Sequence, residues 1–216
     1  MRIETQRLIV RDFEMADAEA LYQLKYDEQV LKYNPTFIAR NATMEDARQA
    51  IGYFQRVKDK GDFSKEIYLA ITHRDTDIVL GAVTVSVLEY LYETQIGWML
   101  RGEYRGQGYA SEAGTAASDY LLDTFGMDYL AVVMDVDNPA SFRTAQKSGF
   151  RLFEKRVPYD YHYSQCNVES FEEVGAHFGQ NQAQTGSCYY YFRKFHRNSR
   201  VAAKFYGDIV YDGRFS

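Results

Sequence analysis

Two kinds of hydrophobic pattern alternate along this chain. Short runs rich in β-branched and aromatic residues predict strands, and apolar residues three or four positions apart predict helices. Strands are predicted at residues 7–11, 67–71, 78–87, 93–100, 129–136, 150–157 and 188–195. Helices are predicted at residues 18–24, 44–60, 109–125 and 138–148.

The order of these elements predicts an α/β fold. The strands between residues 67 and 100 follow one another through short turns, which is typical of an antiparallel meander. From Gly97 to Val136 the order is strand, turn, helix and strand, which normally produces two parallel strands with a right-handed crossover. The run at 129–136 is nearly continuous in apolar residues, so we expect it at the centre of the sheet.

The turn between the strand at 93–100 and the helix at 109–125 is rich in glycine. It contains Gly102, Gly106 and Gly108. A helix that begins directly after a strand presents free backbone N–H groups and the positive end of its dipole. Glycine allows a ligand to approach that backbone closely. The turn is therefore predicted to bind a phosphate or pyrophosphate group.

Two common phosphate-binding patterns do not fit this turn. A P-loop requires Gly-Lys followed by Ser or Thr, and the turn contains no Lys. A Rossmann dinucleotide site requires a third Gly where Ser111 stands, and it follows the first strand instead of a meander. An NAD-binding Rossmann protein is therefore only a remote alternative.

The segment Arg105-Gly106-Gln107-Gly108-Tyr109-Ala110 resembles the Arg/Gln-x-x-Gly-x-Gly/Ala signature of the GCN5-related N-acetyltransferase (GNAT) family. Residues 4–21, and residues 138–141 followed by 147–150, resemble the ribosomal-protein N-acetyltransferase branch of that family. The resemblance implies the GNAT fold, with a mixed central sheet of about seven strands splayed in the middle and helices on both faces. It implies one domain over residues 1–216, with an insertion at 158–187 before the last strand and a short basic C-terminal tail.

In the GNAT family this turn holds the pyrophosphate of acetyl-CoA, and the cofactor passes between two splayed parallel strands. The resemblance implies an acetyl-CoA-dependent N-acetyltransferase that transfers an acetyl group to a primary amine by direct attack in a ternary complex. The amine belongs to a protein or peptide N-terminus or to a small molecule. The implied cofactor-binding residues are Met99, Leu100, Arg101, Arg105, Gly106, Gln107, Gly108, Tyr109, Ala110 and Asn138.

The catalytic residues that the resemblance implies are Ser141, Asn138 and Glu93. Ser141 is the candidate acid for the leaving sulfur, because Ala145 stands where many acetyltransferases have a Tyr. Asn138 touches the pantetheine arm or orders a water, in addition to capping the helix. Glu93 is a candidate base acting through a water, because Gln95 replaces the usual Glu and cannot take a proton. These two replacements motivate an alternative function, a non-catalytic acyl-CoA-binding or sensing module.

Composition narrows the expected partners. The net charge of −5 argues against a nucleic-acid-coating protein and suits a cationic substrate. Cys166 and Cys188 fit neither a disulfide scaffold nor a zinc site, and no apolar run suggests a signal peptide or membrane span. A cytoplasmic enzyme without a metal, nucleic acid or membrane partner is expected. The acidic, tyrosine-rich insertion predicts an ordered flap or a homodimer contact, or else a site for a cationic amine.

Overall fold

The computed structural model describes residues 1–34, 43–59, 67–88, 93–156 and 189–199. The strands of this described part form one mixed sheet with the order β1-β2-β3-β4-β5-β6-β8-β7. Their bounds are β1 Arg2–Glu4, β2 Leu8–Asp12, β3 Ile67–His73, β4 Val79–Leu88, β5 Glu93–Leu100, β6 Tyr129–Asp135, β7 Arg151–Arg156 and β8 Tyr189–Phe195.

The sheet has eight strands, so the predicted number of about seven was one too low. The additional strand is β1, which pairs with β2. It is three residues long and contains no buried position. A strand this short leaves no alternating hydrophobic pattern in the sequence, which is why it was not predicted. The predicted insertion at 158–187 and most of the C-terminal tail lie outside the described residues.

Helices cover both faces of the sheet, as the GNAT resemblance implied. Leu21, Val30 and Ile51 belong to a buried cluster on one face, together with Met99 from β5. Ala113 belongs to the cluster on the opposite face, with Ile96 and Leu100 from the same strand. Successive side chains of a strand point to opposite faces, so β5 contributes to both cores. The helices are α1 Ala18–Gln23, α2 Glu28–Tyr33, α3 Met44–Asp59, α4 Tyr109–Phe125 and α5 Pro139–Lys147.

Local capping signals set the ends of three helices. Thr43 and Asp46 exchange hydrogen bonds at the start of α3, with the Thr43 N–H donating to the carboxylate at 2.8 Å and the Asp46 N–H donating to the hydroxyl at 3.1 Å. Asn138 accepts the Ser141 N–H at the start of α5. Gly126 ends α4 in the left-handed conformation, at a φ of 61°. These signals are local in sequence, so the sequence alone was sufficient to place them.

One parallel contact in the sheet creates the opening that matters for function. Strands β5 and β6 share a single pair, Gln95 with Ala131. Strands β4 and β5, in contrast, pair without a break from Gly81 with Leu100 to Leu88 with Glu93. Beyond Gln95 the two parallel strands diverge, so the edge of β5 that faces β6 has no ladder partner. The splayed centre of the sheet was predicted, and the structure confirms it. Among the described helices, none combines the length and apolar character needed to cross a bilayer.

The path of β5 is fixed by a close approach to β4. A Cβ atom on Gly81 would lie 2.0 Å from the Met99 carbonyl oxygen, so only glycine fits there. The pairing of β3 with β4 also shifts by one residue between Ile71 and Thr72. The close approach of β4 and β5 therefore requires Gly81. It holds Met99 and Leu100 in place at the end of β5, beside the opening.

Candidate active site

A cleft of about 340 Å³ lies where β5 and β6 diverge. Four elements wall it: the end of β5, the glycine turn with the start of α4, the exposed side of α5, and α2. Nine of the predicted site residues line it, and three predicted residues do not, namely Arg101, Gln107 and Glu93. The lining residues that were predicted are Met99, Leu100, Arg105, Gly106, Gly108, Tyr109, Ala110, Asn138 and Ser141.

The turn itself has the geometry of an anion site. Gly106 and Gly108 have φ values of 76° and 84°, a conformation that residues with a side chain rarely adopt. A Cβ atom on Gly106 would meet nothing within 4 Å, so the space beside it is open to a ligand. No side chain caps α4. Within the described ranges, the N–H groups of residues 109–111 have no hydrogen-bond acceptor, since the first bond of the helix is donated by Glu112.

An ion pair joins the segment between β1 and β2 to α4 and holds the start of that helix in place. The Glu112 carboxylate accepts hydrogen bonds from the Thr5 hydroxyl at 2.6 Å and from the Arg7 N–H and Nε at 2.9 and 2.7 Å. Burial alone would raise the pKa of Glu112, but these bonds and the Arg7 charge outweigh it and lower the pKa. Arg7 also donates to the Gln107 carbonyl at 3.0 Å. Arg7 thus contacts both the turn and the first turn of α4.

The Arg105 guanidinium lies beside the cleft, but its charge is already paired. Its Nε and Nη2 donate to the Leu100 carbonyl at 3.1 and 2.9 Å, and Nη2 also pairs with the Asp27 carboxylate at the start of α2. Arg101 forms a salt bridge with Glu103 at 2.7 Å. Both arginines of the predicted cofactor set therefore have carboxylate partners within this protein.

The α5 wall contributes polar and cationic groups. The Asn138 side chain caps the helix by accepting the Ser141 N–H at 3.1 Å. In the part of the chain that the structure describes, the Ser141 hydroxyl makes no hydrogen bond and lines the cleft. Arg143 and Lys147 also line it, and sequence reasoning did not identify them. Their spacing of four residues, which places both on one side of a helix, was the signal that could have found them.

The α2 wall was not predicted at all. Gln29, Val30 and Tyr33 line the cleft from this helix, and the Tyr33 hydroxyl donates to the Asp137 carbonyl at 2.8 Å. Residues 28–33 form barely more than one helical turn, too short for a periodic hydrophobic pattern. Trp98 of β5 was also missed as a lining residue.

Glu93 lies at the opposite end of β5 from the glycine turn. Met99 lies six positions further along β5, roughly 20 Å away at the rise of a strand. Its carboxylate pairs with Arg193 of β8, and the two side chains are only 10% and 12% exposed. Burial, followed by the Glu93 charge, raises the pKa of the neighbouring Tyr129 to about 12. Gln95, on the same face as Glu93, donates to the Ser86 hydroxyl at 3.1 Å.

Comparisons with known proteins agree with this geometry. Residues 7–151 match the family model of the acetyltransferase (GNAT) domain. The chain is 32% identical over 163 residues to the uncharacterized N-acetyltransferase YnaD of Bacillus subtilis, an alignment that covers 73% of this chain and 89% of YnaD.

Two solved structures show the same fold. A GNAT-family acetyltransferase from Bacillus anthracis aligns with a TM-score of 0.65 and 23% identity, over 90% of this chain and 98% of that one. RimL, a ribosomal L7/L12 alpha-N-protein acetyltransferase solved in complex with coenzyme A, aligns with a TM-score of 0.66 and 15% identity, also over 90% and 98%. The comparisons favour an enzyme over a non-catalytic binding module. The chain belongs to the GNAT family and is an acetyl-CoA-dependent N-acetyltransferase.

Proposed function

We propose that acetyl-CoA lies in the cleft with its pyrophosphate at the start of α4, and that the acetyl group is transferred to a primary amine that enters beside α2. The observation that carries this proposal is the start of α4 beside the gap between β5 and β6, where the N–H groups of residues 109–111 have no acceptor among the described residues. Helix N-termini of this kind bind phosphate groups through backbone donors and the helix dipole.

The residues of the cleft fit the charge and shape of this cofactor. The N–H groups of residues 106–110 are the proposed pyrophosphate ligands, and Gly106 leaves open space beside them. Arg143 and Lys147 supply positive charge for the remaining phosphate. Arg101, Arg105 and Gln107 contribute through the backbone conformation of the turn, because their side chains bond within the protein. The pantetheine arm then follows the free edge of β5 past Met99 and Leu100.

The transfer forms one bond and breaks one. The lone pair of the amine nitrogen attacks the thioester carbonyl carbon, a C–N bond forms, and the C–S bond breaks. A backbone N–H at Met99 or Leu100 is the proposed donor to the carbonyl oxygen. The Ser141 hydroxyl is the proposed proton donor to the departing sulfur, and Asn138 is proposed to orient the pantetheine arm.

The proton lost by the amine needs an acceptor. Glu93 stays the predicted base, but it does not line the cleft and lies roughly 20 Å from Met99 along β5, so a chain of several waters would have to carry the proton. The Glu93 carboxylate is already engaged in the ion pair with Arg193. An amine that reaches the site already neutral can lose this proton to solvent, so we expect Glu93 to contribute less than Ser141.

The predicted homodimer stays a prediction.

The proposed acceptor class is a primary amine of a peptide N-terminus or of a small molecule. The ribosomal-protein acetyltransferase RimL, which shares the fold, acts on a protein α-amine. The test is release of free thiol from acetyl-CoA in the presence of an alanine-initiated hexapeptide, spermidine, an aminoglycoside or free amino acids. Turnover with any of them supports the proposal, and tight CoA binding without turnover on any amine contradicts it.

Ser141→Ala tests the assigned acid. We expect kcat to fall about 10-fold to 100-fold, with little change in the dissociation constant of CoA. The matched control is Thr115→Val, which removes a hydroxyl that lies outside the cleft and donates within α4 to the Ser111 carbonyl at 2.7 Å. Equal losses in both variants would contradict the assignment.

A further inference from the structure

One carboxylate joins the start of α2 to the cofactor turn. Asp27 Oδ1 accepts the backbone N–H groups of Gln29 and Val30 at 3.0 and 3.3 Å and also pairs with Nη2 of Arg105. The Asp27 side chain is 13% exposed, so the pair is largely shielded from solvent. The same oxygen therefore caps a helix on one wall of the cleft and holds a guanidinium on another.

The other contacts of that guanidinium fix it against the turn. Its donors reach the Leu100 carbonyl, the last residue of β5, at 2.9 and 3.1 Å. Arg105 directly precedes Gly106, whose positive φ shapes the turn. A change in the turn that moves Arg105 must therefore either break its bonds to Leu100 and Asp27 or move these partners with it.

The helix that Asp27 caps cannot hold its position alone. With six residues, α2 is far shorter than the length at which an isolated helix is stable in water. Its attachments are the buried side chain of Val30, 2% exposed, the Tyr33 bond to Asp137 at its far end, and the Asp27–Arg105 pair at its start. The pair is the attachment that reaches the cofactor turn.

We infer that Arg105 is a positioning residue, not a phosphate ligand, and that the Asp27–Arg105 pair couples acetyl-CoA binding to the seating of α2. The inference rests on the proposed function, in which α2 borders the amine. Binding of the pyrophosphate fixes the turn and Arg105, and the ion pair with Asp27 then fixes α2. The wall of the amine site therefore forms after the cofactor is bound. By reciprocity, an ordered α2 strengthens CoA binding by the same factor.

Hydrogen exchange of α2 amides, measured with and without CoA, tests the coupling. The variant Asp27→Asn keeps a good capping residue and removes the charge. The matched control is Glu103→Gln, which breaks the neighbouring Arg101–Glu103 pair without touching α2. We expect CoA to slow exchange at residues 28–33 about fivefold or more in the wild type and in the control, and to leave it unchanged in Asp27→Asn.

Two outcomes of this experiment separate the inference from the proposed function. Protection of residues 106–111 by CoA, without protection of residues 28–33 in the wild type, would overturn the inference and leave the cofactor site intact. If CoA protected neither segment and did not bind, both the proposed function and the inference would be contradicted.

Binding and kinetics separate a positioning role from a phosphate contact. We expect Arg105→Gln and Asp27→Asn to raise the KM of the acceptor amine by a similar factor of about 5 to 10, and the double variant to add little more. Because the coupling is reciprocal, the dissociation constant of CoA should rise by a similar factor, about fivefold, in both single variants. If Arg105 bound phosphate, Arg105→Gln would weaken CoA binding strongly, whereas Asp27→Asn would leave it unchanged or improve it. Arg105→Lys, which keeps the charge, serves where the Gln variant does not fold, and it should retain part of the coupling.

Discussion

Arg7 and Glu112 are 105 residues apart in the chain and form the contact that holds the cofactor turn against the first strands. The carboxylate accepts the Arg7 backbone N–H at 2.9 Å and its Nε at 2.7 Å. The guanidinium also covers the ring of Tyr109 at 4.5 Å from its centre. These contacts attach the start of α4 to the segment between β1 and β2. Among the described residues, they leave the N–H groups of residues 109–111 without an acceptor.

Replacement of Glu112 should destabilise the protein in a pH-dependent way. We expect Glu112→Gln to lower the free energy of unfolding at pH 7 by about 1–2 kcal/mol, because charge-assisted hydrogen bonds are lost. The folded-state pKa of Glu112 lies below its usual 4.5, so the unfolded chain takes up the proton first as pH falls. The wild-type advantage is thus complete above that value and disappears as pH drops through the folded-state pKa.

Urea unfolding at several pH values checks this prediction. Glu45→Gln is the control, because Glu45 is 66% exposed and its partner Arg48 is 3.8 Å away. It should change the unfolding free energy by less than about 0.5 kcal/mol at every pH. A difference between wild type and Glu112→Gln that does not shrink at low pH would contradict the role of the charge.

Gly106→Ala should impair CoA binding by more than its effect on stability explains. The positive φ of 76° imposes a strain of about 1–2 kcal/mol on any residue with a Cβ atom. The new methyl group also enters the open space proposed for the pyrophosphate, so we expect CoA affinity to fall at least about 10-fold. Calorimetric titration with CoA and thermal unfolding measure the two effects separately.

Gly126→Ala provides the matched control for that variant. Gly126 lies at the other end of α4 with a φ of 61°, and a Cβ atom there would also meet nothing within 4 Å. We expect a similar loss of stability with an unchanged CoA affinity. If Gly126→Ala weakened CoA binding as much as Gly106→Ala does, strain alone would explain the result and the turn would not be the phosphate site.

Removal of Glu93 should destabilise the sheet by breaking its ion pair with Arg193. Both side chains are nearly buried, so we expect Glu93→Ala to cost about 3 kcal/mol in the free energy of unfolding. The double variant Glu93→Ala/Arg193→Met should recover most of this loss, because it removes both charges of the pair. Chemical denaturation measures both. Equal destabilisation of the single and double variants would show that the charge is not the cause.

A glycine inside α4 allows this helix to lie close to Trp98. A Cβ atom on Gly114 would lie 2.9 Å from the Ser148 hydroxyl oxygen and 3.2–3.3 Å from the indole ring. We expect Gly114→Ala to cost about 1–3 kcal/mol by overpacking and to shift the emission of Trp98, the single Trp of the chain.

Gly52→Ala in α3 is the helix-interior comparison for Gly114→Ala. Its Cβ atom would meet only the ends of two flexible side chains, at 3.4 and 3.6 Å. That variant should be neutral or stabilising by up to about 1 kcal/mol, because alanine has the higher helix propensity. It should leave the Trp98 emission unchanged. Destabilisation of both variants to the same extent would contradict the packing argument.

The parts of the site that could be predicted from the sequence are those encoded by neighbouring residues. The glycine turn, the start of α4 and the Asn138 cap depend on backbone conformations and on bonds over three or four positions. The motif order was sufficient to identify the family. The short helix α2 and the strand β1 left no such pattern, because a six-residue helix and a three-residue strand are stabilised by what they pack against.

The sequence by itself determined the longer helices and strands and where acetyl-CoA is expected, since local propensities and hydrophobic periods act over a few residues. Only the tertiary structure decided how the charged side chains are paired. Asp27 meets Arg105 across 78 residues and Glu93 meets Arg193 across 100. Such contacts depend on the packing of the whole sheet and its helices, so a guanidinium that the motif suggested for phosphate binding can instead hold the opposite wall of the cleft.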